Sequence, residues 1–225
     1  MKKMLLVMAA AALVAGDRVQ AQSETVTSVN VVGYYSVTIP ANGAALVTPV
    51  LESFGSGNVT DLIGDQLPSG STVFIWDRLS SGYISANKTR SGWAGAGATN
   101  LILRGDAVWL VPPKDGQART VTFMGEAPGS YNLAATTTVH NISGADAVGY
   151  SYPTDIMWTN TSLAAQLPVG AVVFTWNLST QEYQSFNKTR SGWGTGASLQ
   201  IKAGQAFWVS TAVPLDWQEV VPYDL

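Results

Sequence analysis

The segment Gln66–Trp93 reads QLPSGSTVFIWDRLSSGYISANKTRSGW, and it recurs 100 residues later, from Gln166 to Trp193, as QLPVGAVVFTWNLSTQEYQSFNKTRSGW. The final heptad, NKTRSGW, is identical in the two copies. Beyond it the spacing changes to 99, so that GDAVW at residues 105–109 falls on GQAFW at residues 204–208. Similarity at a fixed period indicates a duplicated structural unit. We therefore predict two tandem units, at residues 22–128 and 129–225.

Each unit contains short runs of β-branched and aromatic residues bounded by Gly, Pro, Asn or Asp, a pattern typical of β-strands. In the first unit the predicted strands are Val29–Ile39, Ala44–Val50, Thr72–Trp76, Leu101–Val111 and Arg119–Met124. Strand signals spaced about 10 residues apart favour a sandwich or a barrel. Only Asn58–Gln66 and Asn160–Gln166 indicate helices, because each offers Asn, Thr or Ser as an N-cap and is stopped by a proline. The expected fold is all-β, with two tandem sandwich-like or barrel-like repeats and one short helix in each.

The first 21 residues have the features of an export signal. Lys2 and Lys3 precede an apolar run from Met4 to Gly16, and Val19 and Ala21 place small residues at the −3 and −1 positions of a cleavage site. We predict a secretory signal peptide at residues 1–21 and export to the periplasm, the outer surface or the extracellular space. No later segment is long and apolar enough to span a bilayer as a helix, so no transmembrane helix is expected.

The composition of this 225-residue chain excludes several functional classes. The 12 Lys and Arg residues are outnumbered by 15 Asp and Glu residues, so the sequence lacks the basic footprint of a nucleic-acid-binding protein. The absence of Cys and the single His exclude Cys-ligated zinc, iron–sulfur clusters and multi-His metal sites. We therefore expect no nucleic-acid partner, no metal and no cofactor.

The sequence contains no recognisable catalytic constellation. When the two units are aligned, no acidic residue is retained: Asp106, for example, falls on Gln205, whereas a glycosidase needs two paired carboxylates. Ser91 is followed by Gly-Trp and lacks the strand–turn–helix context of a nucleophile elbow. His140 lies where the two units match poorly, and we predict that it is a surface or loop residue. No catalytic residue is assigned, and the protein is predicted not to be an enzyme.

The repeated heptad is the strongest candidate for a binding site, because it combines cations, hydroxyls, an amide and a Trp that follows Gly. Aromatic rings stack on the C–H faces of sugars, while Asn, Lys and Arg form directed hydrogen bonds with hydroxyls, carboxylates or sulfates. With the tyrosine that precedes each heptad, the candidate ligand-binding residues are Tyr83, Asn87, Lys88, Arg90, Trp93, Tyr183, Asn187, Lys188, Arg190 and Trp193.

The alternative for the heptad is structural. In that interpretation Asn87 and Gly92 set a turn, Arg90 pairs with a carboxylate or a carbonyl, and Trp93 closes the end of a β core. Tyr83 and Tyr183 are predicted to lie in polar turns. The remaining repeated tryptophans are predicted to lie inside strands and to belong to the core: Trp76, Trp109, Trp176 and Trp208.

The order of these motifs resembles that of a known group of proteins. A strand ending in Trp76 is followed by Tyr83, a Gly-Trp loop and the strand around Trp109, and this order recurs in the second unit. It resembles a family of uncharacterised secreted tandem β-repeat proteins from environmental Gram-negative bacteria of the verrucomicrobial type. The resemblance covers most of the mature chain, although DAVW and QAFW stand where the family more often has glycine and phenylalanine or tyrosine. It implies a β-rich exported protein and no particular reaction.

Two functional hypotheses follow. The first is a non-catalytic structural or surface-associated protein that mediates protein or cell-surface interaction, and it predicts self-association or a cell-surface partner. The alternative is a module for extracellular polysaccharide that uses the repeated NKTRSGW loops, so that two copies on a shared face give avidity.

Overall fold

The computed structural model describes residues 31–129 and 137–223. These residues form antiparallel β-sheets joined by short helices, so the all-β prediction is confirmed. The predicted signal peptide, residues 1–21, lies outside the described residues. Within the described ranges, no helix has the length and apolar character needed to cross a membrane.

The first half of the chain builds a five-stranded sheet and a two-stranded ribbon. Its elements are β1 (Val32–Ile39), β2 (Ala45–Val47), α1 (Val59–Leu62), β3 (Thr72–Asp77), β4 (Gly82–Thr89), β5 (Gly92–Ala94), β6 (Val108–Val111) and β7 (Arg119–Glu126), with a 3₁₀ helix at Ala96–Thr99. The sheet has the order β2-β6-β3-β4-β5, and β1 pairs with β7 in the ribbon.

The second half is assembled in an equivalent way. Its elements are β8 (Thr137–Gly149), β9 (Ile156–Met157), α2 (Ser162–Gln166), β10 (Val172–Asn177), β11 (Glu182–Asn187), β12 (Gln200–Ile201) and β13 (Ala206–Val220), with 3₁₀ helices at Trp158–Asn160 and Gly194–Ser198. The main sheet has the order β11-β10-β13-β8, and β9 pairs with β12. The long strand β8 corresponds to β1 and β2 of the first half, and the long strand β13 corresponds to β6 and β7.

The strand register is the same in both halves. In the β3–β4 hairpin Trp76 is opposite Tyr83, and in the β10–β11 hairpin Trp176 is opposite Tyr183. On the other side, Phe74 pairs with Trp109 just as Phe174 pairs with Trp208. Residues that match in sequence therefore occupy matching positions in the two sheets. The division into domains at residues 22–128 and 129–225 stays a prediction.

Both predicted helices are present, but each is only about one turn long. The Asn58 side chain accepts a hydrogen bond from the Asp61 N–H at the start of α1, and Thr161 caps α2 through the Ala164 N–H. The first helix ends well before Gln66 because Gly64, at φ +57°, takes the left-handed conformation that terminates helices.

The predicted strand Leu101–Val111 is wrong over its first part, since only Val108–Val111 is a strand. Gly105 has φ +84°, and the Asp106 carboxylate accepts a hydrogen bond from the Leu103 N–H at 2.8 Å. These features form a turn, so apolar residues that resemble a strand in sequence, such as the exposed Leu101 and Leu103, lie outside the sheet.

Strand alternation divides each main sheet into an inner and an outer side. In β3, Val73 and Ile75 are buried, and they pack with α1 in the core of the first half. The second half has its own core around Trp158 and Phe207. A third, smaller cluster lies between the halves and consists of Leu46, Ala107, Ala147 and Ala206, with Trp76, Trp109, Trp176 and Trp208 packed against it.

The halves meet through reciprocal backbone contacts. The Thr48 N–H donates to the Gly204 carbonyl at 2.9 Å, and the equivalent Gly149 N–H donates to the Gly105 carbonyl at 2.9 Å. The same correspondence relates two isolated β-bridges, Val47 with Gln205 and Asp106 with Val148. The outer, aromatic sides of the two main sheets are thereby brought next to each other.

Candidate functional site

The heptad lysines point into the protein and bind the C-terminal ends of the short helices. Nζ of Lys88 donates to the Gly64 carbonyl at 3.1 Å and to Asp65. Nζ of Lys188 donates to three carbonyls, those of Ala164, Ala165 and Leu167, at 2.8, 3.0 and 2.7 Å. A helix C-terminus leaves carbonyls unpaired and carries partial negative charge, so an ammonium group stabilises it.

The heptad tryptophans serve the same region. Nε1 of Trp93 donates to the Gly64 carbonyl at 2.8 Å, and Nε1 of Trp193 donates to the Ala164 carbonyl at 3.1 Å. Each ring also lies beneath the heptad lysine, with Nζ 5.3 Å and 5.7 Å from the ring centroids. These contacts favour the structural alternative for the lysine and tryptophan of each heptad.

The heptad arginines lie in the exposed turn that follows the lysine of each heptad. Thr89 closes this turn through hydrogen bonds to Ser91 and to the Gly92 carbonyl, at 3.0 and 2.8 Å, and Thr189 does the same in the second copy. Arg90 and Arg190 are exposed there, and neither forms a hydrogen bond or ion pair with another described residue. They lie apart from the lysines and tryptophans of their own heptads.

Tyr83 and Tyr183 lie on strands, which corrects the prediction that they occupy polar turns. Ser85, Asn87 and Thr89 alternate with the inward-facing Ala86 and Lys88, so β4 is polar on its outer side for reasons of exposure. That polar composition is what resembles a turn in the sequence.

The two tyrosines belong to an aromatic face that spans both halves. Trp76 lies 5.2 Å from Tyr83 and 4.7 Å from Trp208 between ring centroids, and Trp176 lies 5.0 Å from Tyr183 and 4.9 Å from Trp109. All four pairs meet edge to face. We call this surface the aromatic face; its members are Phe74, Trp76, Tyr83, Trp109, Phe174, Trp176, Tyr183 and Trp208.

An indole lies beside each tyrosine of the aromatic face. Nε1 of Trp109 donates to the Tyr83 hydroxyl at 3.0 Å, and Trp208, which holds the position equivalent to Trp109, lines one depression together with Tyr183. Burial raises the pKa of Tyr83 to about 12 and also raises the pKa of Tyr183. Both hydroxyls therefore remain protonated and can donate hydrogen bonds to a ligand. The two tyrosines remain 42% and 45% exposed.

Two adjacent depressions, of about 520 and 470 Å³, form the surface of the aromatic face. They share a wall made of Tyr83, Trp109 and Tyr183. Three further residues of each depression hold equivalent positions, because Ala145, Phe174 and Ser210 in one correspond to Ala44, Phe74 and Val111 in the other. Trp208 and Val209 line only the first depression, and Trp176 lines only the second. No charged side chain lines either depression among the described residues.

Polar side chains border the aromatic face. Ser85 is opposite Phe74 in the β3–β4 hairpin, and the next outward-facing residue, Asn87, accepts a hydrogen bond from Thr72 at 3.0 Å. Ser185 and Asn187 hold the same positions on β11. The structure thus brings Tyr83 and Tyr183 together in one surface and places Asn87 and Asn187 on the same outer sides of β4 and β11. The other six predicted site residues lie elsewhere, with the lysines and tryptophans directed inward and the arginines in exposed turns.

A cleft lined by charged side chains adjoins the aromatic face. Nη1 of Arg78 lies 3.2 Å from Asp106, and its Nε lies 3.5 Å from Asp146. Nε1 of Trp76 donates to Asp146 at 2.6 Å. Burial raises the pKa of both carboxyls, although Arg78 opposes the shift. Sequence reasoning missed this group, because Asp106 and Asp146 come from different units and only the junction brings them to one arginine.

His140 also lines the cleft, and the prediction that it is a surface or loop residue is wrong. It is buried on β8, with its ring 5.4 Å from that of Trp217 and its Nε2 3.1 Å from the Ser151 hydroxyl. Burial, followed by the charges of Arg78 and Arg104, lowers its pKa to about 3. His140 is therefore neutral at physiological pH. The described residues contain no group of three or more side chains placed to hold a metal ion.

Comparisons with known protein families, with curated proteins and with solved structures find no match to this chain.

Proposed function

We propose that this protein is a non-catalytic binding protein for extracellular polysaccharide, and that the aromatic face is its binding surface. The observation that carries the proposal is a pair of uncharged aromatic depressions bordered by hydroxyl and amide groups. Export, which this function requires, rests on the predicted signal peptide at residues 1–21.

The chemistry of the aromatic face matches that of a sugar ring. A pyranose presents apolar C–H groups on its faces and hydroxyls around its edge. Half-exposed Tyr83 and Tyr183 offer ring surface together with protonated hydroxyls, while Asn87 and Asn187 offer amide donors and acceptors. Ligand sites in proteins commonly combine an apolar, aromatic lining with a few polar groups that fix orientation.

The duplication supports a repeating ligand. Two equivalent depressions that share a wall provide neighbouring subsites for successive sugar units of one chain. Occupying both subsites with one polymer raises the overall affinity through effective concentration. A polysaccharide-binding role also agrees with the first sequence-based hypothesis, because a bound polysaccharide would attach the protein to a cell surface or matrix.

A glycan array tests the proposal on the mature full-length chain. The double variant Tyr83→Ala, Tyr183→Ala removes ring surface from both depressions and should weaken binding at least about tenfold, because two stacking contacts are lost. The matched control is Arg90→Ala, Arg190→Ala, which changes the exposed heptad turns and should bind like the wild type. Thermal melting verifies that both variants are folded.

Two results would reject the proposal. One is a wild-type protein that binds no polysaccharide on the array. The other is a folded tyrosine variant that binds normally while the arginine variant does not, which would transfer the site to the heptad turns.

A further inference from the structure

Two clefts in equivalent places of the two halves adjoin the aromatic face. The charged cleft, of about 680 Å³, is lined by Arg78, Asp106, His140 and Asp146, and it reaches the aromatic face through Trp76 and Ala145. The mate cleft, of about 320 Å³, lies beside Trp176 and is lined by Leu178, Gln205 and Lys202, the last of which forms an ion pair with Asp155. The two clefts have equivalent positions in the fold and different chemistry.

Three substitutions between the halves account for the charged group. Arg78 corresponds to Leu178, Asp106 to Gln205 and Asp146 to Ala45, at spacings of 100, 99 and 101 residues. Since the strand register is the same in both halves, these are true structural equivalents.

The charges of the charged cleft are not required by the fold. Asp106 accepts a hydrogen bond from the Leu103 N–H at 2.8 Å, and Gln205 accepts the equivalent bond from the Lys202 N–H at 3.1 Å. An uncharged side chain therefore forms the same turn. Replacing partly buried ion pairs by uncharged residues is often neutral or stabilising, which makes their retention on one side only a sign of another role.

Hydrogen-bonding capacity in the charged cleft is incompletely used. The buried Nε of Arg78 lies 3.5 Å from Asp146 without forming a hydrogen bond to any described residue. Two carboxylates face this single guanidinium, and His140 contributes no charge because its pKa is lowered. The carboxylates of Asp106 and Asp146 are hydrogen-bond acceptors and the guanidinium of Arg78 is a donor, so this group of planar side chains has a net negative charge.

We propose that the charged cleft is a terminal subsite of the glycan-binding surface and takes a neutral sugar residue, with Asp106 and Asp146 accepting hydrogen bonds from adjacent hydroxyls and Arg78 donating to a sugar oxygen. This inference rests on the proposed function. The net negative charge disfavours uronic acids and sulfated sugars, which would face two carboxylates.

The subsite would give the binding surface a direction. The aromatic face is nearly symmetric, so by itself it accepts a sugar chain in either of two orientations. A polar subsite at only one end favours the orientation that places a sugar hydroxyl pair between Asp106 and Asp146, because buried polar groups discriminate strongly between partners that satisfy them and partners that do not.

The triple variant Arg78→Leu, Asp106→Gln, Asp146→Ala tests the inference by giving the charged cleft the uncharged residues that the mate cleft has at these three positions. Binding is measured by titration calorimetry with gluco-, manno- and xylo-configured hexasaccharides and with hexagalacturonic acid. We expect the wild type to prefer a neutral hexasaccharide, and the triple variant to lose about tenfold in affinity for it while keeping the binding that depends on Tyr83 and Tyr183.

Unchanged affinity of a folded triple variant for the neutral hexasaccharide would overturn the inference, as would tighter wild-type binding of hexagalacturonic acid. If the triple variant does not fold, Asp106→Gln alone, which keeps the hydrogen bond to the Leu103 N–H, must still weaken neutral binding. Failure of the proposed function is distinct: it appears as normal binding by the Tyr83→Ala, Tyr183→Ala variant or as no binding by the wild type.

Discussion

His140, the single histidine of the chain, lies at the junction between the halves, and its protonation depends on the pH of the solution. Its ring is buried between the halves and lies near Arg78 and Arg104, so protonation would place a third cation in a space with little water. In the first half Tyr35 holds the corresponding position, packed against Gly204 as His140 is packed against Gly105. The junction therefore has the imidazole of His140 on one side and the phenol of Tyr35 on the other.

We predict that His140 makes the folded protein less stable as the pH falls. The folded pKa of about 3 lies below the ordinary value of 6.5, so the unfolded chain binds this proton more readily. The contribution of neutral His140 is complete above about pH 6.5 and declines as the pH falls toward 3, by about 2 kcal/mol between pH 7 and pH 5.

The measurement is urea unfolding of the wild type and of His140→Tyr between pH 7 and pH 5. The variant is the matched control because it removes this titration and introduces the side chain found at Tyr35, while Asp106 and Asp146, whose raised pKa values act in the opposite direction, remain in both proteins. Parallel pH profiles for the two proteins would show that His140 is not buried in the neutral form.

At the scale of secondary-structure elements, the turns before β6 and β13 depend on Gly105 and Gly204, respectively. Gly204 has φ +80°, and a Cβ there would lie 2.2 Å from the Tyr35 ring. Gly116 has nearly the same backbone conformation, φ +76°, but a Cβ there would meet nothing within 4 Å. The pair separates the cost of the left-handed conformation from the cost of the close approach between the halves.

Gly204→Ala is expected to lower the free energy of unfolding by about 2 to 4 kcal/mol, and Gly116→Ala by about 1 kcal/mol. The larger loss at Gly204 reflects displacement of Tyr35 from the junction in addition to backbone strain. Chemical denaturation of the two variants checks this. Equal losses would mean that the halves do not approach each other closely at Gly204.

Elements were predictable from the sequence where a local pattern determines them. The caps Asn58 and Thr161 located both helices, and the alternation of Val73 and Ile75 with outward-facing residues identified β3. Leu101–Ala107 was wrong because a turn formed by Gly105 contains apolar residues that pack outside the sheet. The hairpin strand β4 was missed because its outer side is polar from Ser85 to Thr89.

The candidate site was less predictable, for a reason that belongs to the whole molecule. The sequence repeat identifies Tyr83 and Tyr183 as equivalent, but contacts between the halves, such as the Thr48–Gly204 and Gly149–Gly105 hydrogen bonds, bring the two outer sheet faces together. The cleft around Arg78 likewise combines residues about 70 positions apart, Trp76 and Asp146. Contacts between units leave no periodic trace in either unit.

At the scale of the whole molecule, the two halves jointly form the surface that we propose for binding. The heptads, which are identical in sequence, attach β4 and β11 to the helix ends through Lys88 and Lys188. The aromatic face lies on the opposite side of these strands, where the two units meet. Our account therefore assigns ligand contact to the junction and structural support to the lysine and tryptophan of each heptad.

The most direct test is an NMR titration of the mature protein, labelled at the indole nitrogens of its eight tryptophans, with the hexasaccharide that binds most tightly. We predict that the Nε1–H signals of Trp109 and Trp208 shift, since both rings line a depression of the aromatic face, while those of Trp93 and Trp193, which donate to helix carbonyls, do not change. Shifts confined to Trp93 and Trp193 would contradict it and assign binding to the heptads.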